Sequence, residues 1–265
     1  MSSRYDSRTT TFSPDGRLHQ VEYAVKAIGQ AVSAVGILTT EGIVFAAERE
    51  SQANVLLDNE NPEDKDISGQ KTYKIADHIG VAVAGITSDA NILLNYARQS
   101  AHRHYYTYQE PMPGEDLCQL LCDLKQGYTQ YGGVRPFGVA FLFGAYDRYY
   151  GYQLYHTDPS GNYSAWKAYA IGQHDDSAQM LLNQEWKEGL TLKQGILMAI
   201  KVLSKSMDMP EVKADKIEIA TLSKPKGSKD PKFHVMTQTE LKPLAEEVDL
   251  IRQAEERAEA EKQEN

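Results

Sequence analysis

Ala34-Val-Gly-Ile-Leu-Thr-Thr-Glu-Gly-Ile-Val-Phe-Ala-Ala47 reads as two short strands joined by a turn. Residues 34–38 and 43–47 are apolar and carry β-branched side chains, and Thr39-Thr40-Glu41-Gly42 between them has the polarity and the glycine of a hairpin connection. Working outward, further strands are predicted at 72–76 and 79–84, again as a close pair. Two helices follow. Thr87-Ser88-Asp89 supplies capping side chains for a helix to about residue 106, and Pro113 opens a second, along which Leu117, Leu121, Leu124 and Tyr128 trace one face. Strands return at 137–143, 149–155 and 166–171, the last after the turn Asp158-Pro-Ser-Gly-Asn162. A second helical pair covers 175–188 and 191–207, the latter with Leu192, Ile196, Ala199, Leu203 and Met207 aligned. Short strands at 216–222 and 233–236 precede a last segment, from about residue 239, with Leu241, Leu244, Val248 and Ile251 on one helical face. Pro243 is tolerable there only within the first turn, and beyond Arg252 the charged sequence has no apolar face, as in a solvated helix or a frayed tail. Strands in antiparallel runs and helices in pairs predict an α+β sandwich rather than a wound βαβ sheet.

Composition narrows the function classes. The chain has 265 residues, 41% hydrophobic, which is enough to build a buried core, and a formal net charge of −9, which argues against nucleic-acid binding. The basic stretch Lys224-Pro-Lys-Gly-Ser-Lys-Asp-Pro-Lys232 is dense in turn formers and reads as a solvated loop. No apolar run approaches the ~20 residues that span a bilayer, and the polar start Met1-Ser-Ser-Arg-Tyr-Asp6 has no apolar signal core. Asn162-Tyr-Ser164 matches a glycosylation sequon that has no meaning without secretion. Two cysteines, Cys118 and Cys122, suit a reducing compartment. These features together predict a cytosolic chain with neither a membrane nor a nucleic-acid partner.

Enzyme signatures are missing. The sequence has no glycine-rich phosphate loop, no dinucleotide-binding turn and no nucleophile elbow. Cys118 and Cys122 share a helical face, but no second pair of ligands completes a metal site, and both fall on or beside the Leu117/Leu121 stripe as buried core thiols. His102 and His104 point in different directions on one helix and read as partly solvated. Ser160 sits in a turn without a neighbouring base and is read as structural. No cofactor and no metal are expected.

Arg4-Tyr-Asp6 and Phe12-Ser-Pro-Asp-Gly-Arg-Leu18, followed by Gln20-Val-Glu-Tyr-Ala24, resemble the N-terminal signature of proteasome alpha subunits. Gly85-Ile-Thr-Ser-Asp89, Tyr131-Gly-Gly-Val-Arg-Pro-Phe-Gly138, Asp158-Pro-Ser-Gly161 and the Lys-Ile-Glu-Ile-Ala run at 216–220 look like blocks of the same family, so the resemblance extends to about residue 250. It implies a four-layer α-β-β-α sandwich of the N-terminal nucleophile hydrolase type, divided as a gate tail (1–13), the sandwich with its N-terminal helix (14–238) and a charged C-terminal helix or tail (239–265). It also implies a closed ring of different alpha subunits stacked on a catalytic beta ring, in ubiquitin-dependent protein degradation in cytoplasm and nucleus.

Catalytic subunits of that fold use an N-terminal threonine as nucleophile. Aligning Gly42-Ile-Val with its beta counterpart places Val32 at that position, followed by Ser33 inside the chain, with Glu48 in place of the catalytic aspartate and Lys71 at the catalytic lysine. The resemblance therefore implies a non-catalytic subunit; the alternative is a threonine peptidase, which lacks its nucleophile here. In the family, C-terminal tails of activating complexes dock between neighbouring alpha subunits. Lys71 matches the lysine that pairs with the tail carboxylate, and Gly85 matches a position where a side chain would crowd the tail. Tyr5, Asp6, Pro14 and Tyr23 match the cluster that holds the gate over the ring pore, and Arg8 would pair with a neighbour's carboxylate. Leu18, Val21, Val25 and Ile28 give the helix at 18–29 an apolar stripe, which by resemblance crosses the sandwich edge. The acidic segment 58–70 is longer than the family pattern and lies just before Lys71.

Overall fold

The hairpin forms as read. In the computed structural model, β1 (Ala34–Leu38) and β2 (Gly42–Glu48) pair antiparallel, with Ala34 opposite Ala47 and Leu38 opposite Ile43. The Thr39 hydroxyl closes the turn, donating to the Gly42 carbonyl at 2.8 Å and accepting from its amide at 3.1 Å. The structure describes residues 10–49, 69–207, 212–225, 227–228 and 230–263, with side chains as far as Ala254.

Within those residues the chain runs through α1 (His19–Ile28), the hairpin, β3 (Thr72–Ala76), β4 (Ile79–Gly85), α2 (Thr87–Tyr108) and α3 (Gly114–Gln130). Then come β5 (Val139–Asp147), β6 (Gly151–Thr157), β7 (Tyr163–Trp166), β8 (Ala168–Ile171), α4 (Asp175–Glu185) and α5 (Leu192–Ser206). β9 (Ile217–Ser223), β10 (Lys232–Val235) and α6 (Gln238–Gln263) close it. The strands form two five-stranded sheets, ordered β10-β9-β2-β1-β8 and β3-β4-β5-β6-β7, with every pairing antiparallel.

Alternation along the strands sorts side chains into three cores. Ile43, Phe45, Ala82, Leu142, Leu154 and Leu222 fill the space between the sheets. Val35, Val44 and Ile219 on the outer face of the first sheet meet Ile196, Ala199 and Leu203 of α5 and Leu241 and Val248 of α6. Val81, Phe141 and Phe143 on the outer face of the second meet Leu93 and Leu94 of α2 and Leu117 and Leu121 of α3. Hence β2 is buried on both faces, which is why its sequence is apolar at consecutive positions. The layers are α-β-β-α, as the resemblance implies. α5 starts at a capping box, Thr191 accepting from the Gln194 amide while the Gln194 side chain accepts from the Thr191 amide.

Four sequence expectations are corrected. α2 starts at Thr87 itself, after Ile86, with no side-chain cap, so the capping expected of Thr87-Ser88-Asp89 does not form. The strand expected at 166–171 is two strands, β7 in the second sheet and β8 in the first, and the chain changes sheet at Lys167. Both halves are apolar or aromatic enough to read as one run, but Trp166 pairs with Leu154 while Ala168 pairs with Ile37. The strands expected at 137–143 and 149–155 lie about two residues later. The Asp147 carboxylate accepts from the Tyr149 and Tyr150 amides, both at 2.6 Å, and this Asx turn places the hairpin bend at 148–150. Finally, α6 begins at Gln238, so Pro243 sits in its second turn. The Thr237 carbonyl accepts from the Glu240 and Leu241 amides, so the first turn closes before the proline is reached.

Candidate functional site

The start of β1, the end of β2, the start of β3 and the start of β9 converge at one edge of the sandwich. The Glu48 amide donates to the Ser33 carbonyl at 2.9 Å and the Arg49 amide to the Lys216 carbonyl at 2.8 Å. Buried Ser33 turns its hydroxyl onto the Gln173 carbonyl, and the Gln173 amide donates to the Ala31 carbonyl at 2.7 Å. Residues 31–33 are thus locked to the segment after β8, with Val32 where the resemblance places a nucleophile.

Lys71 stands immediately before β3. Its carbonyl accepts from the Val83 amide of β4 at 2.9 Å. Its amide faces the Glu218 carboxylate of β9 in a long bifurcated contact, 3.3 and 3.4 Å. The same carboxylate accepts from the Thr72 amide at 2.8 Å and from the Thr72 hydroxyl. Glu218 is buried and its carboxyl is pushed up by that burial, against the opposing pull of the Thr72 and Lys71 donors and of Arg49.

Gly85 ends β4, two residues beyond Val83. Its φ is +126°, and a Cβ there would lie 2.2 Å from the Gly138 carbonyl oxygen. That carbonyl accepts from the Ile86 amide at 2.9 Å. The glycine is therefore demanded by the fold itself, whatever docks nearby. The crossing is pinned by Asp89, buried in the first turn of α2. Asp89 takes two hydrogen bonds from Arg135, at 2.6 and 2.9 Å, and one from the Gly138 amide at 2.9 Å. These three contacts account for the Gly85–Asp89 and Tyr131–Gly138 blocks occurring together. Arg135 first, then the Gly138 amide, hold the Asp89 carboxyl below the usual carboxylate range. A depressed acid contributes stability that is present above the unfolded-state value near 3.9 and is lost as pH falls through the folded value. Asp89→Asn is expected to cost about 2 kcal/mol at neutral pH and to remove that acid sensitivity, as read by thermal unfolding from pH 7 down to pH 3.

Of the gate residues, Tyr5, Asp6 and Arg8 lie outside the described residues. Pro14 is described, in a reverse turn where the Gly16 amide donates to the Ser13 carbonyl and the Ser13 amide to the Arg17 carbonyl, both at 2.9 Å. Arg17 then pairs with Glu22 of α1, and Tyr23, exposed on α1, lies with its ring parallel to that of His19. On the same helix Ile28 is buried, Leu18 and Val21 are half-buried and Val25 is exposed, so this chain covers its stripe only in part.

Cys118 and Cys122 are buried in the α3 core. His102 is exposed and His104 packs its ring against Tyr108. Ser160 is fixed in its turn by Asp158. Lys224, in the basic stretch, is exposed but tethered: its ammonium donates to the Tyr146 hydroxyl at 2.6 Å and sits 4.1 Å from the ring centroid. Nearly all of the acidic 58–70 segment lies outside the described residues. Sequence reading passed over two buried charges, Glu218 and Lys125. Each had one signal, a charge at an inward position of an otherwise apolar strand or helical face. Among the described residues no three His, Cys, Asp or Glu side chains come together as a metal site requires, and no helix is long and apolar enough to cross a membrane.

Comparison with known proteins matches this architecture. The family described as "Proteasome subunit" matches residues 28–222, and the N-terminal signature of the A-type proteasome subunits matches residues 5–27. The chain is 51% identical to the alpha type-4-2 proteasome subunit of Oryza sativa subsp. indica over 89% of this chain and 91% of that one. It is 54% identical to the alpha type-4 proteasome subunit of Spinacia oleracea, over 83% and 85%. With the alpha type-4 subunit of Dictyostelium discoideum it shares 48% identity over 96% and 99%.

Proposed function

We infer, from the premise that this chain belongs to the proteasome subunit family and within it to the alpha type, that it docks activator tails beside Lys71 and closes the ring pore with its N-terminal segment. It is a non-catalytic subunit of the core particle: the nucleophile position holds Val32, and the Ser33 hydroxyl is spent on the Gln173 carbonyl. Its partners on this reading are neighbouring alpha subunits, the beta ring below and the C-terminal tails of activating complexes above, in ubiquitin-dependent degradation in cytoplasm and nucleus.

The observation that carries the docking role is the placement of Lys71. Its backbone is held on both sides, by Val83 of the neighbouring strand and by Glu218 of the opposite sheet. A lysine with a fixed backbone presents a point charge to a chain-terminal carboxylate, and ordering costs are met in advance. The gate role is supported by the Ser13–Gly16 turn, which redirects the chain ahead of α1, and by Arg17–Glu22, which ties that turn to the helix. The uncovered side of α1, with Val25 and Tyr23 exposed, suits a neighbouring alpha subunit.

The test uses core particles purified with variants of this chain in place of the parent. Deleting residues 2–12 is expected to raise basal hydrolysis of a short fluorogenic peptide severalfold. Lys71→Ala is expected to leave basal hydrolysis unchanged while lowering stimulation by peptides that copy activator C-termini. An unchanged basal rate in the deletion sinks the gate reading, and undiminished stimulation in Lys71→Ala sinks the docking reading.

A further inference from the structure

We propose that Glu218 is the positioning residue of the Lys71 site, a buried carboxylate that sets the backbone from which the lysine reaches a tail. The inference rests on the docking role given to Lys71 above. Glu218 belongs to β9 in the first sheet, whereas Thr72, next to Lys71, opens β3 at the edge of the second. Along β9, Ile217 and Ile219 point to the helices, and Ala220 and Leu222 point between the sheets. Glu218, in phase with Ala220 and Leu222, thus enters the inter-sheet space, where a carboxylate without donors would be costly.

Its donors come from Lys71 and from the first residue of β3. The Thr72 amide and hydroxyl both reach one carboxylate oxygen, and the Lys71 amide spans the two oxygens. Thr72 is fully buried, and Tyr73 and Ile75 on the alternate positions pack on the helix side, so the Thr72 side chain faces the inter-sheet space and Glu218. Lys71 is then caught between the carboxylate on its amide and Val83 on its carbonyl. Gly69, with φ +89°, directly precedes this clamp. An amide-to-carboxylate contact is directional and stronger than a neutral one. The short Thr72 amide bond on one side and the Val83 bond to the Lys71 carbonyl on the other, with the long Lys71 contact between, set where the Cα of Lys71 sits and hence the arc its ammonium sweeps. Burial pushes the Glu218 carboxyl up even against the Thr72 and Lys71 donors, so they offset its desolvation only in part.

A staple between the sheets that served stability alone would weaken every ligand of this region equally. A positioning role instead predicts a selective loss, confined to recognition of the terminal charge. The experiment measures binding of fluorescently labelled seven-residue peptides copying an activator C-terminus, with a free carboxylate and as amidated twins, to intact core particles carrying parent chain, Glu218→Gln, Thr72→Val or Lys71→Ala. Glu218→Gln is expected to weaken the free-carboxylate peptide by roughly tenfold, the equivalent of one hydrogen bond to a charged group, and to leave the amidated peptide within twofold of parent. Thr72→Val, which keeps the amide donor, is expected to give roughly a threefold loss of the same kind. Equal losses for both peptides, or no loss in Glu218→Gln, overturn the proposal. If Glu218→Gln does not enter the particle, Thr72→Val decides on the same criterion. If Lys71→Ala leaves the carboxylate preference intact, the docking reading itself fails. If Lys71→Ala abolishes the preference and Glu218→Gln and Thr72→Val do not touch it, only the positioning role fails.

Discussion

Gly85→Ala is expected to destabilise the chain by about 3 kcal/mol or more and to lower its thermal midpoint by roughly 10 °C. Two separate penalties meet at this residue. At φ +126° an L-residue is strained regardless of its surroundings. In addition the new methyl would sit 2.2 Å from the Gly138 carbonyl oxygen and 2.9 Å from the Val139 Cα. Both are backbone atoms, so no rotamer change relieves the contact; β4 and the start of β5 must separate. Separation breaks the Ile86 amide's bond to Gly138 and draws the Gly138 amide away from Asp89, which loosens the Arg135 pair as well. Gly151, at φ +73° where β6 begins, has nothing within 4 Å of a built Cβ. Gly151→Ala should therefore cost about 1 kcal/mol, the conformational penalty alone. The difference between the two variants, read by thermal unfolding of the purified chain, isolates the contact at Gly138. Equal costs would show that the contact relaxes freely.

This result bears on how Gly85 is understood. Sequence resemblance makes it a position kept open for a tail, and the geometry gives a prior reason for a glycine, the crossing of β4 and the 131–138 segment. The two reasons are compatible, but only the second follows from atoms in this chain. A variant that fails at Gly85 thus says little about docking, and this is why Lys71 and Glu218 carry the binding tests.

The same distinction describes what the sequence made legible. Local patterns resolved well: the 34–47 hairpin, the α3 stripe with its buried thiols and the Asp158 turn each depend on neighbours within a few residues. The split of 166–171 into β7 and β8 did not, because a sheet change at Lys167 leaves the apolar pattern unbroken and depends on partners in β6 and β1. The Asx turn at Asp147 was missed for a different reason: Asp-Arg-Tyr-Tyr has no glycine or proline to mark it. Within the candidate site, Lys71 and Gly85 were found by resemblance, whereas Asp89, expected as a capping residue, lies inside the first turn of α2 and turns its carboxylate to Arg135 and the Gly138 amide. Glu218 lies 147 positions from Lys71, and only the register of two sheets brings them together. A lone charge in Ile-Glu-Ile-Ala signals a buried partner, but nothing local names it.

Lys125 makes the same point with a second large effect. It lies on the buried face of α3, fully enclosed, with its amine donating to the Thr157 hydroxyl at 2.8 Å and the Val139 carbonyl at 3.1 Å and standing 4.8 Å from the Phe141 ring centroid. Burial pushes it down to about 8, while Cys122, Cys118 and Asp158 pull the other way. An amine whose folded value lies below its unfolded value near 10.4 binds protons less tightly in the native state. At or below pH 7 both states are charged, and the full cost of burying the ammonium is felt. Between about pH 8 and pH 10.4 the native amine is already neutral while the unfolded one is not, so stability rises with pH. At 1.36 kcal/mol per unit the rise amounts to about 3 kcal/mol. His156, pushed down to about 4 chiefly by burial, stays neutral throughout this range and does not contribute to the slope.

Lys125→Met removes the titration and fills similar space. At pH 7 it relieves the buried charge but leaves the Val139 carbonyl without this donor, two effects of similar size and opposite sign. The variant is therefore expected to lie within about 1 kcal/mol of parent at pH 7 and to fall about 3 kcal/mol below it by about pH 10.5. Tyrosines and exposed lysines also titrate in that interval, so the quantity to follow is the parent-minus-variant difference in denaturant unfolding across pH. A difference that stays flat over the whole interval would mean that the ammonium is as well solvated inside α3 as in water, and that its two hydrogen bonds and the Phe141 face fully replace its hydration. A rise that sets in near pH 8 would identify Lys125 as a charge the sandwich buries at a cost in order to join the start of β5 to the end of β6.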